Sequence, residues 1–304
     1  MDQPVSKEFV FQCGHVFNKN RIGFVTNHAA TTAQGAPNSQ LYILRDGKDW
    51  GFTVMKWDAV AISATLKPIP AILVLGRDGE VLIGDAQGYR EERINESGIS
   101  PSGLGPLRSM RTIADSIFAV GMARQVYRRL GDKTWSRCEA GLPAEISLHE
   151  VSGFNSVDGF SVDDLYAVGW RGEIWHFDGK LWRQEMNSVH QTLFDVRVVS
   201  PSIVYACGEN GALLKGNKGK WTALDFRGPR PAFRSMAWFH EKLFLADGHA
   251  LYVLDKGALS EVDFGVGATV PSAHVHSNDG VLLSVAGKEV FLTSDGITWT
   301  ALPI

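Results

Sequence analysis

His274 and His276 stand two residues apart in SerAlaHisValHis, a spacing that turns both side chains to one side of a β-strand and offers two nitrogens to a metal. No third His, Cys, Asp or Glu is fixed beside them by spacing, so neither a metal nor a cofactor is expected. Cys13 and His15 share the same relation and could pair a thiol with a base, but PheGlnCysGlyHisVal alternates as a buried inner strand does. Asp163 and Asp164 form a carboxylate pair, yet they fall just before a strand, where Asp serves turn chemistry. Arg108 and Arg234 each open an ArgSerMet run, Asp195 holds the matching place in another segment, and His274 lies one position later in a fourth. These four could ring a mouth that binds carboxylate or phosphate through bidentate guanidinium bonds. The competing reading is that Arg108, Asp195 and Arg234 tie neighbouring elements together.

What must position these side chains is a repeat. LeuTyrAlaValGly (165–169), GluIleTrpHisPheAsp (173–178) and Trp182 return as ValTyrAlaCysGly (204–208), LeuLeuLys (213–215) and Trp221; upstream they are IlePheAlaValGly (117–121), GlnValTyrArgArg (125–129) and Trp135. A step of about forty residues carries the phase on to Asp247 with Ser260 and to Ala286 with Trp299, and back to Gly76. A first copy, 22–26, 40–47 and 50–55, carries an extra loop, and each copy is preceded by an alternating strand such as LeuArgSerMetArgThr or LeuPheAspValArgVal. Four short strands per copy predict an all-β, seven-bladed β-propeller with antiparallel blades near 9–57, 58–98, 105–141, 148–188, 191–226, 231–265 and 271–304. Six blades with an irregular N-terminal cap is the alternative, and the last blade is expected to supply all four of its own strands. AspGly, ArgGly and AsnGly pairs fall at the hairpin turns. Trp135, Trp182, Trp221 and Trp299 fill the widening gap between blades, and Cys207 takes a Val position as packing.

Composition narrows the function classes. A chain of 304 residues, 44% hydrophobic, can bury a large core, and a net charge of -3 with scattered Lys and Arg gives no nucleic-acid footprint. No apolar run is long enough to span a bilayer, and the start lacks the pattern of an export signal. Three separated cysteines without paired spacing suit a reducing compartment, so a cytoplasmic location is expected.

ThrSerAspGlyIleThrTrp (293–299) resembles the Asp-box turn of BNR repeats, PheAspGlyLysLeuTrp (177–182) is a weaker relative, and LeuTyrAlaValGly with Trp is similar to the repeats of bacterial WD40-like and YVTN-like propellers. The resemblance spans nearly the whole chain and implies a fold more than an activity. It implies a non-enzymatic protein-binding propeller, an assembly or accessory factor or a toxin-neutralising immunity protein. Sialidase-like carbohydrate chemistry and small-anion binding in the central channel are the alternatives.

In such a propeller the links between blades and the turns between second and third strands share one face. The segments 27–39, 96–106, 139–146, 227–231 and 265–271 are placed there, and 156–164 is read as the longer loop of the opposite face. Trp170 and Arg171 occupy such a turn without being required by the repeat, and Arg227 and Arg230 lie in a link. These four are the expected protein contacts of an otherwise monomeric propeller, since Trp and Arg dominate interface hot spots.

Overall fold

The computed structural model describes residues 9–28, 38–94, 101–143 and 152–302. The expected working loops within 29–37, 95–100 and 144–151, and any pairing by Met1 to Lys7, lie outside the described residues.

The strands form seven antiparallel sheets of four. Blade 1 holds Phe9–Asn18, Arg21–His28, Ser39–Arg45 and Asp49–Met55; blade 2 holds Ala59–Thr65, Ala71–Gly76, Glu80–Asp85 and Gly88–Arg93. Blade 3 holds Leu107–Ile113, Ser116–Gly121, Val126–Gly131 and Thr134–Arg137; blade 4 holds Phe154–Ser161, Asp164–Gly169, Ile174–Phe177 and Trp182–Gln184. Blade 5 holds Leu193–Ser200, Ile203–Gly208, Leu213–Asn217 and Lys220–Ala223; blade 6 holds Ser235–Phe239, Lys242–Ala246, Leu251–Asp255 and Ala258–Glu261. Blade 7 holds His274–Asn278, Val281–Ala286, Glu289–Thr293 and Thr300–Ala301. This is the seven-bladed β-propeller the repeat predicts; the regular four-stranded blade 1 removes the six-bladed alternative. Among the described residues helix is confined to 3-10 turns at Pro101–Leu104, Trp170–Gly172 and Glu209–Gly211, and no helix is long and apolar enough to cross a membrane.

The expected loop at 156–164 is corrected: residues 156–161 belong to the first strand of blade 4. Its polar Ser156 and Asp158 look like loop residues in sequence, but both are buried and hydrogen-bonded toward blade 5. A buried polar residue whose partner sits forty residues away is indistinguishable from a solvated one in a sequence.

Two compact units divide the chain. One, residues 1–62, 225–229 and 234–304, contains blades 6, 7 and 1. In it Phe244, Leu251 and Phe264 pack against Val275, Phe291 and Trp299, and Phe11, Ile22 and Phe24 against Leu283 and Val285. The other, residues 63–224 and 230–233, contains most of blade 2 and blades 3 to 5. There Phe118 and Val120 meet Phe154, Val157 and Trp182, and Tyr166 and Val168 meet Leu193 and Val196. Within each unit these apolar layers lie between successive blades, so the sheets of blades 4 and 7 are apolar on both faces.

The glycine closing the second strand has a steric cause. A Cβ at Gly169 would lie 1.8 Å from the Gly153 carbonyl oxygen, at Gly208 2.0 Å from that of Thr192, and at Gly121 2.5 Å from that of Pro106. In each of these three blades the pairing register of the first two strands shifts at this point, which draws the backbones together. Gly169→Ala is therefore expected to cost about 1–3 kcal/mol, read as a lowered thermal midpoint. Gly131→Ala, with nothing within 4 Å, should be near neutral.

Candidate functional site

Inner strands have one unpaired edge, and in this chain side chains of the preceding blade occupy it. Ser63 accepts the Thr112 N–H at 3.1 Å, Asp158 that of Val198 at 2.8 Å, and Ser235 that of Val275 at 3.2 Å. His276 Nδ1 accepts the Val16 N–H at 3.1 Å and His274 Nδ1 the Gly14 N–H at 3.3 Å. The two histidines thus join blade 7 to blade 1 across 260 positions of sequence. The His15 ring lies 3.9 Å from that of His276. Among the described residues no three His, Cys, Asp or Glu side chains gather closely enough to hold a metal.

Asp195 is buried, accepts a hydrogen bond from Ser156 Oγ at 2.7 Å and from its neighbour's Val196 N–H at 2.9 Å, and so joins blade 5 to blade 4 beneath the surface. Arg108 and Arg234 are exposed at the starts of inner strands, Arg234 one residue ahead of its strand. Arg108 and Asp195 belong to one unit, Arg234 and His274 to the other. Burial pushes the Cys13 thiol up to about 12, far from a reactive thiolate. Asp164 is engaged by His176 at 2.8 Å and Lys218 at 3.3 Å, while Asp163 sits exposed in the turn. Cys207 is fully buried packing.

Asp158 is also buried. Burial raises it above the ordinary Asp value, only partly offset by Arg111 at 3.7 Å and the Val198 N–H. Such a group keeps its proton longer folded than unfolded, so stability falls as pH rises from about 3.9 toward the raised value. Asp158→Asn keeps an acceptor for Val198 and should abolish that slope, measured as unfolding free energy across a pH series.

At several points within each unit a second-to-third-strand turn touches a link between blades. In the larger unit the Gly79 position abuts Pro101, Gly172 abuts Val189 and Gly211 abuts Arg230; in the other, the Gly248 N–H donates to Ser272 at 2.7 Å. Trp170 and Arg171 occupy the turn of blade 4 and Arg230 flanks that of blade 5. Arg171 takes φ 55 and its counterpart Asn210 φ 54, so one backbone turn is built twice with different side chains. Glu173 closes the blade-4 turn, donating its N–H to the Trp170 carbonyl, while its carboxylate accepts Arg124 at 2.6 and 2.9 Å and the Trp175 indole at 2.8 Å. Trp170 is half-buried, and its indole N–H has no partner among the described residues.

Arg227 requires a correction. Its N–H donates to Gly257, its carbonyl accepts the Leu259 N–H at 2.8 Å, and it runs parallel beside Ala258. That places it along the outer strand of blade 6, at the end opposite that blade's second turn. The link folds back to cover an edge strand, as Ala140 does by accepting the Trp182 N–H at 2.8 Å. The blade-2 turn is tied to the inner strand of blade 3, where the Leu107 N–H donates to the Arg77 carbonyl at 2.8 Å, a link that nothing in the repeat singles out.

No protein-family model matches the chain. The fold resembles the WD40 β-propeller domain of Doa1 (TM-score 0.70, 10% identity, 94% of this chain and 93% of that one). It also resembles YCF48 solved with D1 peptide (TM-score 0.68, 14% identity, 96% and 93%). At the level of sequence the immune protein Tsi7 of Pseudomonas aeruginosa is 33% identical over 249 residues, 82% of this chain and 81% of the relative. With a third of its residues shared over most of both chains, this WD40-like propeller belongs to the family of the immunity protein Tsi7.

Proposed function

We propose that the protein protects its producer by binding a protein toxin through the turn-and-link face, acting as a cytoplasmic monomer and by occlusion rather than catalysis. The family relation supports immunity. The observation that carries the choice of face is the Trp170–Gly172 turn, where a rigid backbone shared with blade 5 displays a Trp and an Arg that the repeat does not need. Carbohydrate chemistry gains no support from the tyrosines, since the Tyr127 hydroxyl donates to Gln125 and that of Tyr166 to Asn217. The repeat itself we read as Asp-box-like: Asp295 accepts the Ile297 and Thr298 N–H groups at 2.7 Å each, and Asp178 those of Lys180 and Leu181, which holds both carboxyls well below the usual range.

The test has two parts. The tagged protein is used to capture its toxin from the native host, and co-expression with that toxin should rescue growth of a sensitive strain. Rescue by a chain that fails to bind the purified toxin would overturn the reading.

A further inference from the structure

The link between blades 4 and 5 joins the outer strand Trp182–Gln184 to the inner strand Leu193–Ser200. Past buried Glu185, its residues 186–192, MetAsnSerValHisGlnThr, contain no Asp, Glu, Lys or Arg in a chain that is 21% charged. Every other link between blades carries at least one such residue: Lys56, Glu96, Glu139, Asp225 and Asp263. Charge depletion together with Trp, Met and Arg marks the centre of a protein interface, while its rim is polar.

The link is fixed at both ends. The Glu185 N–H donates to the Ile174 carbonyl at 2.8 Å, and Asn187 donates its amide to the Gly172 carbonyl at 2.9 Å while accepting the Val189 N–H at 2.8 Å. At the far end the Thr192 N–H donates to the Glu209 carboxylate at 3.1 Å, and the Glu209 N–H to the Thr192 carbonyl at 2.9 Å. The link is thus tied to the Trp170–Gly172 turn on one side and to the Glu209–Gly211 turn on the other, all within one unit. Met186 stands between two anchored residues and is 84% exposed, the most of any large apolar side chain among the described residues. A lone exposed apolar residue is ordinary; Met186 differs in standing on an uncharged link fastened to the docking turn. Trp170 gives an independent sign that this corner is incomplete in the free chain, since its indole N–H is enclosed without an acceptor among the described residues.

We propose that Met186 is an anchor of the docking surface, received by an uncharged apolar pocket of the bound toxin, with Arg171 and Arg230 at the charged rim. The proposal rests on the docking turn argued above and names the chemistry that the toxin presents next to it. A thioether on three rotatable bonds adapts to the shape of such a pocket, and its polarizable sulfur suits an aromatic wall. A backbone already held at Glu185 and Asn187 gives up little freedom on binding.

The experiment uses the full chain and the purified toxin captured by it, with calorimetric titration at several temperatures and at low and high salt. Met186→Ala should weaken binding about tenfold, by the same factor at both salt concentrations, and make the heat-capacity change less negative. Met186→Leu keeps the apolar bulk and should stay within about threefold of wild type. Met186→Glu should lose about a hundredfold or more, because it buries an unpaired charge. Thermal midpoints should match wild type in all three. Ile297, 76% exposed in a turn of blade 7, is the control, and Ile297→Ala should bind as wild type does. If Met186→Ala and Met186→Glu both bind within about twofold of wild type while Trp170→Ala weakens binding, the anchor is wrong and the docking turn stands. If neither Met186 nor Trp170 variants change affinity, the docking turn falls and the anchor with it. Loss in Met186→Glu alone, with alanine like wild type, would place Met186 at the edge of the contact and overturn its role as anchor. Sedimentation of the free chain tests the other occupant: self-association abolished by Met186→Glu, with toxin affinity unchanged, would make this a contact between copies and overturn the proposal.

Discussion

Replacing Glu92 with alanine is expected to destabilise the protein by about 3–5 kcal/mol, lowering the thermal midpoint on the order of 10 °C. Glu92 lies on the outer strand of blade 2 with its side chain only 1% exposed. Its carboxylate accepts Arg129 Nε at 2.8 Å and a second Arg129 nitrogen at 3.0 Å, the Lys133 N–H at 2.9 Å and the Trp135 indole N–H at 2.8 Å. All three donors belong to blade 3, so one residue fastens the outer edges of two blades. Alanine leaves Arg129, itself 13% exposed, with only the exposed Asp132 carboxylate at 3.5 Å to face its charge, and orphans two further donors. Glu92→Gln keeps one acceptor and should lose less.

The pH behaviour separates the two variants from a packing defect. Burial alone pushes the Glu92 carboxyl up, but Arg129 and the donors of Lys133 and Trp135 outweigh it and the net shift is downward. A depressed carboxyl contributes stability that is present above its unfolded value, about 4.3, and lost as pH falls through the folded one. Wild type should therefore lose more stability on acidification than Glu92→Gln does. The same device recurs two blades on, where buried Glu185 accepts the Trp221 indole N–H.

The second large effect is on binding. Trp170→Ala is expected to weaken toxin affinity by about 2–4 kcal/mol, roughly 30- to 1000-fold, with stability changed by less than about 1 kcal/mol. The turn that carries it is held from three sides: Glu173 N–H to the Trp170 carbonyl at 3.0 Å, Asn187 to the Gly172 carbonyl at 2.9 Å, and Arg124 on Glu173. A large aromatic displayed on such a turn gives up little freedom on contact. The blade-5 copy places Glu209 at the matching position with the same backbone, so Trp170→Glu is a conformationally neutral exchange. Calorimetric titration with the toxin decides it; wild-type affinity in both variants would remove this turn from the interface.

Arg124 and Glu173 show why a candidate site is harder to read than a fold. Each is unremarkable in its own repeat, and only the packing of blade 3 on blade 4 brings their charges to 2.6 Å. Arg227 shows the converse error: its position in a link pointed to the turn face, but the link doubles back because an outer strand needs its edge covered. His274 and His276 have metal-like spacing, and the structure spends their Nδ1 atoms on the backbone of blade 1.

The sequence alone determined the seven four-stranded units, their hairpin turns and the placement of Gly121, Gly169 and Gly208, because strand alternation, turn chemistry and repeat phase are local properties. Only the tertiary structure decided that those glycines yield to a carbonyl oxygen, that Glu92 serves Trp135, and that the Arg77 carbonyl takes the Leu107 N–H of the next blade. Each depends on how one sheet is turned against the next, which brings together residues about forty positions apart, and at the junction of blades 7 and 1 residues 260 apart. A periodic pattern specifies each blade and leaves the contacts between blades to packing.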